Sequence, residues 1–156
     1  MFQKESGFTL VELVVVLSVI AIIASYALIN FSATNKLKAQ TTAKQLATNM
    51  SYTQVLAMTS GNRYRINFAP QTYTITTLDG LSLVLAPVRL LNGLTLNSTG
   101  LPSNYIVFDQ QGIPYTDNTI PGTPLSAEAT ITLTLKGSIV QTLTITPETG
   151  KVIIKM

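Results

Sequence analysis

The sequence predicts an α+β chain: one long N-terminal helix, membrane-spanning in its first half, packed on an antiparallel β-sheet head. Three observations carry this reading. Phe8 to Phe31 is a run of 24 residues with one charge, Glu12, and neither Gly nor Pro. The chain stays free of Gly and Pro as far as Ser60, 53 residues in all. Beyond Gly61-Asn62 the pattern changes to alternation of period two, broken by turn residues roughly every 8–12 positions. The divisions expected are a short polar segment at 1–7, a membrane-spanning helix at 8–31, an amphipathic continuation at 32–60, and the β-head at 61–156.

Composition excludes several classes. At 156 residues there is room for one domain. Hydrophobic residues make up 46% of the chain, which is enough to build a core. The charged fraction is 11%, below half the roughly 25% usual for soluble domains. Cys, His and Trp are absent, so there is no disulfide, no Cys- or His-based catalysis and no ordinary zinc site. The few acids form no obvious carboxylate pair, and no Gly-rich phosphate loop lies between a strand and a helix. The reading is therefore not an enzyme, with no catalytic residue, no cofactor and no metal. A net charge of +3 is too mild to argue for nucleic acid by itself.

The helix comes first in the chain. As a helix, the run from Phe8 to Phe31 spans about 36 Å, enough for a ~30 Å hydrocarbon core. A cleaved secretory signal would be shorter and would end in a small-x-small exit, which Ala24, Ser25, Tyr26 and Ala27 supply poorly. A plain signal anchor fits the length but leaves Glu12 unexplained, since a carboxylate well inside a bilayer costs about 2.5–3.5 kcal/mol. Lys4 and the terminal amine against Glu5 on one side, and Lys36 and Lys38 on the other, give no clear orientation. Past the membrane run, Ala39, Ala43, Leu46, Ala47, Met50, Ala57 and Met58 recur at helical steps and predict one apolar stripe, covered by the chain's own sheet. Gln40, Thr41, Lys44, Thr48 and Thr53 are assigned to the opposite face.

Strands follow. Arg63 to Phe68 alternates, with Tyr64, Ile66 and Phe68 on one face, and Gln71 to Thr77 places Tyr73 and Ile75 inward. Asp79-Gly80 is a turn signal, Leu81 to Leu85 continues the meander, and Pro87 stops it. Val88 to Leu96 reads as strand around Asn92-Gly93, and Tyr105 to Phe108 as a short strand before Gln111-Gly112. Residues 114–126, with three prolines, read as an exposed loop. Thr130 to Leu135, the turn Lys136-Gly137, Thr142 to Ile145, a turn at 147–150 and Lys151 to Lys155 complete the head.

Gly7-Phe8-Thr9-Leu10-Val11-Glu12, followed directly by the apolar run, resembles the cleavage site of type IV prepilins and type II secretion pseudopilins. The resemblance implies a pilin-like fold, cutting after Gly7 by a prepilin peptidase, and N-methylation of the new terminal residue, Phe8. It also implies that Glu12 sets assembly register by pairing with the terminal amine of a neighbouring subunit. The chemistry is consistent, because a carboxylate in lipid is far less unfavourable beside an ammonium than alone. Implied partners are the peptidase, other minor and major pilins or pseudopilins, the bacterial inner membrane crossed once with the head in the periplasm, and an exported substrate.

The head narrows this. Helix end, strand order and the final turn Thr149-Gly150-Lys151-Val152 resemble the GspH/FimT family of minor pseudopilins. The FimT branch implies an alternative, DNA binding for natural transformation through a Gly-Arg-x-Arg element in that turn. Here the element reads Gly150-Lys151-Val152-Ile153, with Lys151 for one arginine and Ile153 for the other. Lysine offers a point charge where arginine offers a planar fork, and one or two lysines give little affinity at physiological salt. The candidate DNA contacts are Lys151, Lys155, Arg63 and Arg65. Asp109 with Asp117 and Asn118 is too sparse a set for calcium, and turn roles are expected of these acids.

Overall fold

In the computed structural model the described residues are 9–155, and for 26–35 the backbone alone is described. Gly7 and Phe8 lie outside them. The chain divides at Leu37/Lys38 into two compact units.

Helix α1 is Leu10–Ser60. It starts where a cap is available: the Glu12 N–H donates to Thr9 Oγ1 at 3.3 Å. Thr9-x-x-Glu12 is therefore a capping-box sequence, and Glu12 in the first turn complements the positive end of the helix dipole. The helix stops at Gly61, whose φ of +68° closes the last turn with a bond from its N–H to the Ala57 carbonyl at 3.1 Å. In the first unit every described side chain from Thr9 to Ser25 is exposed. Ser18 and Ser25 return their hydroxyls to the carbonyls of Val14 and Ala21, both at 2.8 Å, so neither leaves an unsatisfied donor on this apolar surface.

In the second unit Ala39, Ala43, Leu46, Met50, Thr53 and Ala57 are fully buried at steps of four and three. Two assignments change here. Thr53 lies in the stripe, its hydroxyl satisfied by the Asn49 carbonyl at 2.7 Å, so its polarity does not keep it outside. Met58 sits beyond the stripe and is 53% exposed.

The head holds two antiparallel sheets rather than one. β1 (Tyr64–Ala69), β2 (Thr72–Thr77), β3 (Leu83–Arg89), β5 (Tyr105–Phe108) and β6 (Pro114–Tyr115) form the first, in the order β3-β2-β1-β5-β6. β4 (Leu94–Thr99), β7 (Ala129–Leu135), β8 (Ser138–Ile145) and β9 (Val152–Lys155) form the second, in the order β4-β7-β8-β9. The helix stripe shares one core with Ile66, Tyr73, Ile75 and Phe108 of the first sheet and Ile131, Leu133 and Leu143 of the second. The Tyr73 hydroxyl accepts from Asn49 Nδ2 at 2.8 Å, and burial raises its pKa.

Three strand expectations are corrected. Pro87 does not end β3, because β3 is an edge strand and can lack an N–H where no neighbour needs it. Asn92-Gly93 is not a kink within one strand but the crossing from the first sheet to the second. The 114–126 segment is not an open loop. It opens as β6 and folds back, with Leu125 N–H on the Pro114 carbonyl at 2.8 Å and both residues buried.

The β7–β8 hairpin turns on Lys136-Gly137, with φ of +51° and +84°. Both positions are left-handed, as a type I′ turn requires, and lysine carries a Cβ penalty there. Lys136→Asn is expected to raise stability by about 0.5–1 kcal/mol, and Lys136→Val to lower it by about 1 kcal/mol, in thermal unfolding of the detergent-solubilised chain.

Candidate functional site

The first element of the site is the start of α1. Glu12 is exposed and is the only ionised side chain between Thr9 and Ser25. Leu10, Val11, Ile22 and Ile23 around and beyond it are between 63% and 80% exposed. A helix apolar on all faces needs lipid or other helices around it, and a carboxylate placed there needs a cation. Among the described residues no helix is long and apolar enough to cross a membrane. Within the run Phe8 to Phe31 the side chains are described from Thr9 to Ser25, and those of Tyr26 to Phe31 fall in the segment described by backbone alone.

The second element is basic. The four cations singled out from sequence fall on two different sheets. Arg63 precedes β1 and Arg65 lies on it, while Lys151 precedes β9 and Lys155 ends it. Arg63 donates through Nη1 to the Thr119 carbonyl at 2.9 Å and through Nη2 to that of Pro121 at 2.8 Å, and it stacks 4.6 Å from the centre of the Tyr115 ring. Arg65 donates from Nε to Thr76 Oγ1 at 3.3 Å and lies 5.0 Å from the Tyr105 ring centre. Gly80 is a close approach: a Cβ there would run into the Arg65 guanidinium. Lys155 Nζ stands 3.6 Å from Glu128 Oε2, with both side chains more than half exposed. Lys151 is exposed beside Gly150.

The acids considered for calcium serve turns. Asp109 Oδ1 is buried and accepts from the N–H groups of Gln111 and Ile113 at 2.9 and 2.8 Å. Asp117 accepts from Thr119 and Thr123, and those hydrogen bonds, Thr123 first, hold its carboxyl below the usual range. Asp79 is lowered in the same way by the Thr77 hydroxyl and then the Leu81 N–H. Desolvation and then the Asp109 carboxylate push the Tyr115 phenol up.

One residue had not been singled out. Gln54, on α1, donates Nε2 to the Gly112 carbonyl at 2.8 Å and to that of Thr149 at 2.6 Å. One helix side chain thus ties the β5–β6 turn of one sheet to the β8–β9 turn of the other. Gly150 closes against it, since a Cβ there would lie 2.8 Å from Gln54 Nε2 and 2.8 Å from Phe108 Cε1. The glycine of Thr149-Gly150-Lys151 is therefore demanded by packing, whatever the next side chain does. The available signal was a glutamine four residues after Met50, at the border of an otherwise apolar stripe.

A long N-terminal helix with an apolar exposed first half and a second half packed on an antiparallel head defines the pilin-like fold. Residues 2–28 match the prokaryotic N-terminal methylation motif. Among solved structures, the type IV minor pilin FimU of Pseudomonas aeruginosa is similar, with a TM-score of 0.61 at 16% identity, covering 79% of this chain and 92% of that one. The minor pseudopilin EpsH from the type 2 secretion system of Vibrio cholerae is also similar, with a TM-score of 0.57 at 16% identity, covering 76% and 96%. No curated protein matches the chain in sequence. At such identities what is shared is the fold, which is pilin-like.

Proposed function

We propose that this chain is a minor pilin or minor pseudopilin, made as a precursor and used as one subunit of a type IV pilus or of a type II secretion pseudopilus. The observation that carries this is the exposed helix from Leu10 to Ser25, apolar but for two serines and with Glu12 as its one charge, which follows Gly7-Phe8-Thr9. A prepilin peptidase cuts after Gly7, and Phe8 becomes the terminal residue and is N-methylated. The helix holds the chain in the inner membrane with its head in the periplasm until assembly. Assembly then exchanges lipid for neighbouring helices, and Glu12 meets the terminal ammonium of the next subunit. Methylation leaves that ammonium charged, so the pairing survives it. The head contacts other minor subunits or exported cargo.

The DNA-uptake alternative draws on Lys151, Lys155, Arg63 and Arg65. Hydrogen bonds to carbonyls already engage the Arg63 guanidinium, and Lys155 faces Glu128. Two lysines at opposite ends of β9 release few counterions, so the structural-subunit reading is preferred.

The test is co-expression with a prepilin peptidase and mass analysis of the N-terminus. The expected product begins at Phe8 with one added methyl group, and Gly7→Leu stays uncut. A chain that keeps its first seven residues in the presence of active peptidase sinks the proposal.

A further inference from the structure

We propose that β9 is a docking edge for an extended, acidic strand of another polypeptide. A sheet edge presents unpaired N–H and C=O groups, and natural proteins block them. Three of the four edges here are blocked. β3 carries Pro87, which has no N–H, and two register shifts against β2. β6 is covered by its own chain, through the Leu125 N–H on the Pro114 carbonyl and the Thr116 N–H on that of Thr123. β4 is capped from the other sheet, where its Leu96 N–H donates to the Pro70 carbonyl at 2.9 Å.

β9 has no proline, no bulge and no covering segment among the described residues, and its guards are its four-residue length and the charges of Lys151 and Lys155. It pairs with β8 in unbroken register, from Ile145 opposite Val152 to Thr142 opposite Lys155. The Thr146 N–H donates to the Lys151 carbonyl at 2.9 Å, which fixes the phase of the ladder. Lys151, Ile153 and Lys155 turn their backbone groups to β8, and Val152 and Ile154 turn theirs to the open side. Ile153 is 42% exposed on the face that also carries Lys151 and Lys155.

The same side chains choose the partner. A second copy pairing antiparallel on this edge would bring each Lys151 opposite the other copy's Lys155, and like charges directly opposed are destabilising. A parallel pairing in register opposes each lysine to itself. A strand with a carboxylate opposite Lys151, an apolar residue opposite Ile153 and a carboxylate opposite Lys155 reverses both terms. The Lys155–Glu128 contact is surface-exposed and weak, so an incoming carboxylate can replace it. The occupant is thus an acidic–apolar–acidic segment at alternate positions, bound by strand addition.

The test uses the full chain in detergent micelles and a labelled, end-blocked peptide of sequence TETVTET. At low salt it is expected to bind and to slow amide exchange at Val152 and Ile154. The double variant Lys151→Glu, Lys155→Glu weakens binding about tenfold or more, and so does moving to physiological salt. The same peptide N-methylated on the two threonines flanking valine cannot supply the ladder bonds and is expected not to bind. Equal binding of the methylated peptide would reduce the site to plain charge attraction and overturn the proposal. Absence of binding at low salt would overturn it too. Processing after Gly7 is scored separately, so this failure and that of the assembly reading are distinguishable.

Discussion

Glu12→Ala should fold, enter the membrane as the native chain does, and yet be depleted about tenfold or more from filaments. The carboxylate sits on a helix otherwise apolar from Leu10 to Ser25, so its removal favours lipid. It costs nothing in the head core, because Glu12 lies outside the buried cluster. On the proposed assembly the variant loses its pairing with a neighbour's ammonium, and a tenfold depletion corresponds to only about 1.4 kcal/mol, modest for an ion pair screened from water. The helix keeps its cap, since the residue 12 N–H, not the side chain, meets Thr9. Quantifying the chain in sheared filaments against the membrane fraction checks this, with Glu12→Asp as an intermediate case. Native incorporation of the alanine variant would remove Glu12 from the assembly mechanism.

Gly150→Ala should be the most destabilising single-methyl change in the head, by roughly 2–5 kcal/mol. Its φ is +62°, which costs an L-residue about 1–2 kcal/mol. The added Cβ also meets Gln54 Nε2, Phe108 Cε1 and the Gly112 carbonyl at 2.8, 2.8 and 2.9 Å, and overpacking of this kind adds about 1–3 kcal/mol. Gly61→Ala isolates the first contribution, because Gly61 has a similar φ of +68° and nothing within 4 Å of a Cβ. Urea unfolding of the two variants side by side gives the packing contribution as the difference. Equal losses would mean that the Gln54 clamp adjusts freely.

These two residues mark how far the sequence could be read. Glu12 stood out because its setting is local: one charge in a long apolar run, at a short distance from a glycine. The pilin-like architecture was legible for the same reason, since helix period, strand alternation and turn residues are properties of neighbours in the chain. Gly150 was visible as a turn glycine, but its partners come from residues 54, 108 and 112, and no local pattern links them. Thr53 and Pro87 were misassigned on the same ground. A threonine is buried when a carbonyl four residues back satisfies it, and a proline stays in a strand when that strand ends a sheet, and both conditions are set by the surroundings.

The long helix, the apolar half with its single acid, and a β-rich head free of cysteine are set by the order of residues along the chain. These follow from hydrophobic periodicity and composition, which act along the chain. Only the packing of distant segments settled that the head is two sheets, that Arg63 and Arg65 belong with a different sheet from Lys151 and Lys155, and that β9 ends its sheet with no covering segment among the described residues. Sheet order and edge exposure depend on which distant segments meet, and the closing of long loops against burial settles that only when the whole core packs.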